Sequence, residues 1–392
     1  MLKKLLMVAA GTTLITLGVG EASQAATFSV LASNLNSPRG LNFGLDGALY
    51  VTEAGSGGTG PCLPSPGGGQ TCYGATGSVT RIQNGIQNRV VTGLPSLAQA
   101  GGTDAVGAQD IGFDATGKPY VLVGLGANPS QRDTLGIPDF GQLLAINDLN
   151  GGSSWTRVAD LAGYEGANNP DGANVDSNPY GLLIEGNTAF VVDAGANDLL
   201  SVGLDGSNLA VQSVFPARSV PSPFGGPDIL MQSVPDAIAT APDGSLYVGE
   251  LTGFPFPQGG ARVYKIDSNN QPQVYADGFT NIIDIDFDNQ GNLYVLEYAT
   301  NSLLSGDPTG ALIRVAPNGT RTTIASQGLI SPTGLAVSSN REFYVSNRGF
   351  VAGEGEVIQI SVPESSSNLS LLALGAVGAG SLLLRKQKLS RL

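Results

Sequence analysis

The chain repeats one pattern of apolar and polar positions six times. Each copy has a short apolar segment, a tight turn, and a second apolar segment in which an aromatic residue precedes valine. The six aromatic residues are Tyr50, Tyr120, Phe190, Tyr247, Tyr294 and Tyr344. The last three lie 47 and 50 residues apart. A period of this length with strand-like segments predicts a propeller, an array or a solenoid.

Each copy continues beyond its first two segments. The turns include Asp46-Gly47, Asp243-Gly244 and Gln290-Gly291, which are typical of hairpins. A third strand-like segment follows, such as GSVTRI or ARVYKI, and several copies have a fourth, such as RTTIASQGL. Four antiparallel strands form a propeller blade. The sequence therefore predicts an all-β fold, a six-bladed β-propeller over residues 27–362.

The two ends of the repeat region fit together. The sixth copy stops after its third strand, at Ile360, so its fourth strand is missing. The segment TFSVLASNLNSP, from Thr27, belongs to no copy and has the character of a fourth strand. We predict that residues 27–36 supply the outer strand of the last blade, because this closes the ring and covers a sheet edge.

Both termini have the sequence features of targeting segments. Residues 1–26 combine two lysines, an apolar run and small final residues, which predicts a secretory signal peptide. Residues 363–392 contain a short apolar run and a basic cluster, which is typical of a membrane segment with a cytoplasmic end. This tail resembles the PEP-CTERM signal that an exosortase processes, through Val362-Pro363-Glu364, although Ser365 replaces the usual proline. A plain membrane anchor is the alternative, and either predicts export to the periplasm, cell surface or medium.

Composition excludes several functions. The chain has no histidine, which excludes Ser-His-Asp and Cys-His catalysis and histidine-ligated metal sites. Without the two terminal segments the basic count falls from 19 to 13 and the acidic count from 32 to 30, so the body carries a formal charge of −17. This charge argues against nucleic acid and anionic membranes as partners. No nucleotide-binding fingerprint or haem signature is found in the sequence.

The only cysteines are Cys62 and Cys72, in GPCLPSPGGGQTCYG. In an oxidising envelope two such residues are expected to pair. We predict a disulfide that closes this Gly- and Pro-rich loop.

Carboxylates recur at the hairpin ends. The second strands end in Glu53, Asp193, Glu250 and Glu297, and the first strands begin near Asp110, Asp236 and Asp284. Because the two strands are antiparallel and the first lies nearest the axis, we expect all seven acids at one mouth of the central channel. Carboxylates so close together must be hydrated, paired, protonated or bound to a cation.

Two interpretations of these acids stay open. In the first, they end strands by accepting hydrogen bonds from neighbouring turns, and Arg39 and Arg348 pair with some of them. In the second, some of the seven bind a divalent metal ion, most simply Ca²⁺, which takes six to eight oxygen ligands. The loop NNPDGANVDSNP, from Asn168, is a further calcium candidate, although such loops usually form turns.

The order Pro-x-Gly, strand, turn and Tyr-Val-x-acid resembles NHL repeats and the propellers of the gluconolactonase and regucalcin type. Longer phrases, NPYGLLIEGNTAFVVDAGANDLL and GELTGFPFPQGGARVYKI, resemble the ScyD/ScyE family of cyanobacteria over about residues 28–361. That resemblance implies a part in extracytoplasmic production of the pigment scytonemin, without a defined reaction. The gluconolactonase resemblance implies an ion at the Pro-x-Gly column, where only Asp236 matches clearly.

Two main functional hypotheses follow. The first is an exported, monomeric binding or accessory factor that handles a small molecule or envelope component in pigment biosynthesis or at the cell surface. Its tail would be processed by an exosortase-type enzyme. The second is a Ca²⁺-dependent lactonase- or hydrolase-like enzyme in which Asp236, Glu250 and Glu297 hold the ion. A structural role in envelope adhesion is a third hypothesis.

Overall fold

The computed structural model describes residues 26–65 and 68–362, and Ala26–Ser361 form one compact unit. The predicted signal peptide and sorting segment lie outside the described residues, so both stay predictions. No helix within the described ranges is long and apolar enough to cross a membrane.

Short antiparallel strands make up most of the described chain. Those of the first half are β1 (Thr27–Asn36), β2 (Pro38–Phe43), β3 (Leu49–Glu53), β4 (Cys62–Pro64), β5 (Gln70–Gln83), β6 (Ile86–Ala98), β7 (Ala108–Phe113), β8 (Pro119–Val123), β9 (Gln142–Ile146), β10 (Trp155–Asp160), β11 (Pro179–Glu185), β12 (Thr188–Asp193), β13 (Asp198–Gly203) and β14 (Ala210–Val214). Those of the second half are β15 (Arg218–Val220), β16 (Ile229–Met231), β17 (Pro235–Thr240), β18 (Leu246–Glu250), β19 (Ala261–Ile266), β20 (Pro272–Phe279), β21 (Ile282–Phe287), β22 (Leu293–Glu297), β23 (Ala311–Val315), β24 (Arg321–Ala325), β25 (Gly334–Val337), β26 (Phe343–Asn347) and β27 (Ala352–Ser361).

The strand pairing confirms a six-bladed β-propeller. The first five blades are β2-β3-β5-β6, β7 to β10, β11 to β14, β17 to β20 and β21 to β24, each paired in chain order. The sixth blade is β25-β26-β27-β1. The first strands contact one another in a closed cycle, β2, β7, β11, β17, β21, β25 and back to β2. These six strands surround the central channel.

The predicted ring closure is confirmed. Strand β1 pairs antiparallel with β27, from Thr27 opposite Ser361 to Asn36 opposite Ala352. It also buries Ala32 and Leu35 in a cluster with Leu41. The N-terminal strand thus joins the last blade to the first through both hydrogen bonds and apolar packing.

The core lies between the faces of neighbouring blades. Six buried apolar clusters occupy the six blade interfaces. The repeated aromatic residue packs on a phenylalanine of the next blade at four interfaces, with ring centroids 4.8–5.2 Å apart. These pairs are Tyr50–Phe113, Tyr247–Phe287, Tyr294–Phe343 and Tyr344–Phe43. The sequence signature of the repeat is therefore a signature of blade stacking.

Close packing between first strands explains the glycine of the Pro-x-Gly motif. A side chain at Gly181 would place its Cβ 2.7 Å from the Asp236 carbonyl oxygen, and one at Gly334 would lie 2.5 Å from that of Arg39. Both contacts reach the backbone of the first strand in an adjoining blade. First strands approach so closely at the axis that these positions have no room for a side chain.

Some elements extend beyond the repeat. Strands β4 and β5 form a hairpin in which Cys62 lies opposite Cys72, and the predicted disulfide between them is confirmed. Helices α1 (Gln131–Leu135) and α2 (Leu161–Asn168), a 3-10 turn at Leu303–Ser305 and the β15–β16 hairpin were not predicted. They occupy the variable loops between regular strands.

Ring closure can be tested by removing β1. A chain that begins at Ser37 leaves the edge of β27 unpaired and uncovers the apolar cluster beneath Leu35. We expect its thermal unfolding midpoint to fall by on the order of 10 °C or more, or cooperative unfolding to be lost. Circular dichroism and calorimetry measure this against a control chain that begins at Ala26. Equal midpoints for the two chains would show that β1 does not close the ring.

Candidate functional site

The polar residues that end the second strands fasten the connectors between blades. Each side chain accepts a hydrogen bond, 2.6–2.8 Å long, from the segment that leads into the first strand of its own blade. We call this contact the connector clip. The donor and acceptor pairs are Asn36–Glu53, Asn178–Asp193, Ser233–Glu250, Thr280–Glu297 and Ile330–Asn347. In four blades the two residues are 17 positions apart.

Two of these acids are also neutralised by arginines. Arg89 forms an ion pair of 2.7 Å with Glu53, and Arg218 forms one of 2.6 Å with Glu250. The expected cations were Arg39 and Arg348. This was wrong for Arg348, whereas Arg39 acts on one of the seven acids, Asp236, through its charge and without an ion pair. Arg348 pairs with Glu356, and Arg39 donates to backbone carbonyls. The arginines that pair with Glu53 and Glu250 come from β6 and β15, outside the hairpins that the repeat pattern describes.

The second blade shows what replaces a missing acid. Its second strand ends in Val123 rather than a carboxylate. The residue 17 positions earlier, Val106, instead exchanges two backbone hydrogen bonds of 2.7 and 2.8 Å with Leu97. The long strand β6 thus fastens the connector that a side chain fastens in the other blades.

Two first-strand acids join neighbouring blades at the channel. Asp110 accepts hydrogen bonds from the N–H groups of Ile111 and Leu182, at 2.7 and 2.8 Å. Asp284 accepts from Ile285 and Leu335 in the same way, at 2.8 and 2.6 Å. Burial raises the pKa of Asp110 to about 7, and burial with the nearby charge of Asp110 raises the pKa of Asp284 well above its usual value. These carboxylates satisfy the inner backbone edge of the next blade.

A cavity of about 280 Å³ opens at the mouth of the channel. We call it the mouth cavity. Among the seven predicted acids only Asp236 lines it, together with Arg39, Gln109, Asn178, Tyr180 and Tyr298. Below it, the channel narrows to a void of about 20 Å³ that Asp110, Asp236 and Asp284 share. The seven acids therefore do not form one ring, because the second-strand set turns away to the connectors.

Three acceptor oxygens of the mouth cavity have no hydrogen-bond partner among the described residues. They are Gln109 Oε1, Asn178 Oδ1 and Asp236 Oδ1. Asp236 is only 4% exposed, and Gln109 is 2% exposed. A buried oxygen without a donor is costly, so such atoms are expected to meet a ligand or water.

Arg39 sets the electrostatics of the mouth cavity. It is 8% exposed and donates at 2.6 Å to the carbonyl oxygens of Gly349 and Ala105. Burial raises the pKa of Asp236 well above its usual value, and the positive charge of Arg39 opposes that rise. Burial also raises the pKa of Tyr180 and of Tyr298, so both phenols stay neutral. The cavity combines one buried cation, the buried carboxyl group of Asp236, the exposed carboxyl group of Asp104 and aromatic walls.

The sequence did not single out every residue that matters. Asn178 escaped notice because it precedes the Pro-x-Gly motif and belongs to the connector rather than to the first strand. Glu165 and Asp198 are buried acids beside Asp193, and neither follows the repeat pattern. Glu165 lies on α2, an element that an all-β repeat does not predict.

The described residues contain no group of three or more Asp, Glu or Cys side chains that stand in position to hold a metal ion. Calcium binding by the seven predicted acids stays a prediction. The structure divides them by environment: Asp236 faces a cavity, Asp110 and Asp284 bind backbone amides, and the other four form connector clips.

Comparison with solved structures finds several chains that align over most of their length at low sequence identity. The calcium-binding protein regucalcin from Agrobacterium tumefaciens is 11% identical, with a TM-score of 0.49, covering 87% of this chain and 94% of that one. The calcium structure of a family AA12 carbohydrate-active enzyme from Trichoderma reesei is 12% identical, with a TM-score of 0.49, covering 90% and 100%. Streptogramin B lyase is 12% identical, with a TM-score of 0.47, covering 88% and 100%. No protein-family model and no curated protein matches the sequence.

Two substitutions of Glu297 test whether its carboxylate stabilises the fold through the connector clip rather than binding a metal ion. The side chain is 5% exposed and accepts the Thr280 N–H at 2.7 Å. Glu297→Leu leaves that buried N–H without an acceptor, so we expect it to cost about 1–3 kcal/mol of unfolding free energy. Glu297→Gln keeps an acceptor oxygen and is expected to be much milder. Urea unfolding of both variants at pH 7 measures the difference, and equal losses in the two would contradict the clip.

The buried acids predict how stability depends on pH. The pKa is raised to about 7 for Asp110 and Glu297 and to about 6 for Asp193, in each case mainly by burial. The folded state therefore holds these protons more tightly than the unfolded state, whose carboxyl groups titrate near 4. Stability is full below that pH and falls as the pH rises through the folded-state values.

We expect the free energy of unfolding to fall by about 2 kcal/mol or more between pH 5 and pH 8, measured in chelator. Glu297→Gln removes one of the contributing protons, so its fall is expected to be smaller than that of the wild type. A stability that is flat or rises over this range would show that these carboxyl groups are ionised at low pH in the folded state.

Proposed function

We propose that the protein is an exported binding propeller that holds a small aromatic molecule with hydrogen-bond donors in its mouth cavity. The observation that carries this proposal is the set of three unpartnered acceptor oxygens on Gln109, Asn178 and Asp236. Binding sites are concave and place a few polar groups within apolar walls. The mouth cavity has this composition.

The walls suit a flat ligand of modest size. Tyr180, Tyr298 and Phe350 line the mouth cavity beside Leu251 and Ile283. A volume of about 280 Å³ lies near the lower end of the range for ligand sites, about 300 Å³. A single aromatic ring with a polar arm matches that volume. The ionised form of Asp236 favours an amine or other cationic donor, and Arg39 favours an acidic or carbonyl oxygen.

In the cell we place this binding activity outside the cytoplasm. The proposal is an accessory factor of scytonemin-type pigment production or of the cell surface, supported by the ScyD/ScyE resemblance and the predicted signal peptide. The PEP-CTERM-like tail would pass to an exosortase-type enzyme, with transient membrane anchoring before release. We propose that the propeller acts as a monomer, since β1 already covers the sheet edge that the sixth blade leaves open.

A Ca²⁺-dependent lactonase-like enzyme is the second candidate. The same three oxygens are of the kind that Ca²⁺ accepts, which favours it. The guanidinium of Arg39 opposes it, because a buried positive charge repels a divalent cation. Hydrolysis of glucono-δ-lactone that requires Ca²⁺ and is lost in Asp236→Asn would establish this alternative instead.

Isothermal titration of the full chain with tyramine, phenol and 4-hydroxyphenylacetate tests the binding proposal. These probes share the phenol ring and differ in the charge of the polar arm. We expect tyramine to bind more tightly than phenol, and Asp236→Asn to weaken tyramine binding about tenfold or more, because a charge-assisted hydrogen bond is lost. The exposed Asp205→Asn is the matched control and should bind as the wild type does.

Failure of all three probes to bind, or equal tyramine affinity in wild type and Asp236→Asn, would contradict the proposal. A preference for 4-hydroxyphenylacetate that survives Asp236→Asn would instead assign recognition to Arg39.

A further inference from the structure

A second group of acids lies away from the channel, on the third blade. It joins helix α2, the connector of residues 169–178 and the hairpin β12–β13. We call it the blade-3 acid cluster, and its members are Glu165, Asp171, Asp176, Asp193 and Asp198. The mouth cavity does not include any of the five.

Backbone pairing and side-chain hydrogen bonds bring the cluster together. Asp193 and Asp198 are directly opposite each other at the end of the β12–β13 hairpin. Asn197, in the turn between them, donates its side-chain N–H to Asp171 at 2.9 Å. Ser177 of the connector donates its hydroxyl to Asp193 at 2.6 Å. The connector and the hairpin thus hold their carboxylates on one side of the blade.

Asp193 and Asp198 would repel each other if both were ionised, since like charges opposite one another in a sheet are destabilising. Asp193 accepts four hydrogen bonds, from the Ser177 hydroxyl and from the backbone of Asn178, Gly195 and Ala196. These donors favour its ionised form. Within the part of the chain that the structure describes, Asp198 has no comparable set of donors.

Several oxygens of the cluster lack a partner among the described residues. Both carboxylate oxygens of Glu165 are unpartnered, as are Oδ1 of Asp198 and Oδ1 of Asp176. Glu165 and Asp198 are each 1% exposed, so water does not reach them freely. The neighbouring Asn169, which ends helix α2, contributes one more unpartnered oxygen.

The electrostatics agree with this geometry. Burial and the charges of Asp193, Asp171 and Asp176 raise the pKa of Glu165 to about 7, although the nearby backbone N–H of Asp176 opposes the rise. Burial and the charges of Asp193, Glu165 and Asp171 raise the pKa of Asp198 well above its usual value. No arginine or lysine contributes to either shift. In contrast, Glu53 and Glu250 each have an arginine.

We propose that the blade-3 acid cluster is a binding site for one divalent cation, Ca²⁺, with Glu165 and Asp198 as its principal ligands. Asp171, Asp176 and the side-chain oxygen of Asn169 complete an all-oxygen shell, and Asp193 supplies negative charge next to it. Ca²⁺ accepts six to eight oxygens in irregular geometry, whereas Mg²⁺ demands a small octahedron. Because no three acids stand in ligating position now, binding requires the Glu165 and Asp198 side chains to rotate.

A bound ion would restrict the shape of the mouth cavity. It would join helix α2 and the connector to the β12–β13 hairpin. The same connector contains Asn178, whose backbone N–H donates to Asp193 at 2.6 Å and which lines the mouth cavity. Bound Ca²⁺ therefore fixes one wall of the mouth cavity from outside it.

Calorimetric titration and thermal unfolding of the full chain with Ca²⁺ or Mg²⁺ test the site at pH 8. We expect Ca²⁺ to bind with a stoichiometry of one and to raise the unfolding midpoint by about 3 °C or more at saturation, with a smaller effect of Mg²⁺. Glu165→Gln and Asp198→Asn should each weaken Ca²⁺ binding about tenfold or more, and the double variant should abolish it. Without Ca²⁺ these variants are expected to be at least as stable as the wild type, because each removes a buried unpaired charge.

Asp236→Asn is the matched control, because Asp236 is also a buried acid that has an unpartnered oxygen. This variant should keep the Ca²⁺ response. Near-ultraviolet circular dichroism checks that each variant is folded. The proposal is overturned if the wild type binds no Ca²⁺, or if the double variant binds it as the wild type does. Loss of binding in Asp236→Asn alone would move the cation to the mouth cavity.

Discussion

The propeller depends on the hydrogen bond that we call the connector clip. In each blade the end of the second strand lies beside the start of the first strand. The connector from the outer strand of the preceding blade enters the first strand at that point. In four blades a side-chain oxygen at the strand end accepts a backbone N–H of this connector, as Glu297 does for Thr280, and in the fourth blade along the chain Glu250 accepts the hydroxyl of Ser233. A buried N–H without an acceptor is costly, so the polar residue recurs with the repeat. The second blade confirms the constraint, because Val106 meets the backbone of Leu97 instead.

Repetition made the fold predictable, and the direction of side chains limited the prediction of the site. Blade number, ring closure by residues 27–36 and the Cys62–Cys72 pair all follow from local patterns that recur or pair in an obvious way. The sequence also placed Glu250 correctly at the end of a strand, but it did not show to which side of the strand end the side chain points. Sequence spacing places a residue along the strand, whereas tertiary donors such as Arg218 decide which way it turns. Helix α2 and its Glu165 obey no repeat and left no signal.

The buried carboxylates show three ways in which this chain neutralises charge in a low-dielectric interior. Backbone amides serve Asp110, an arginine serves Glu250, and the charge of Arg39 acts on Asp236 from across the mouth cavity. Each solution places positive charge or N–H dipoles near the acid, as the cost of desolvation requires. Glu165 has only the backbone N–H of Asp176 to lower its pKa, and the described residues give Asp198 neither an amide nor a cation that does so. That difference, rather than the number of acids, distinguishes the blade-3 acid cluster from the others.

The two proposed sites are linked through one short segment. The connector of residues 169–178 begins at the end of α2, passes Asp171 and Asp176, and ends at Asn178 in the wall of the mouth cavity. Its position is fixed at one end by the connector clip to Asp193, which belongs to the acid cluster. A ligand in the cavity and a cation in the cluster would each order the same backbone, so each would lower the entropy cost of binding the other. The carboxylate that fastens a blade is thus also the point at which cation and ligand binding are coupled.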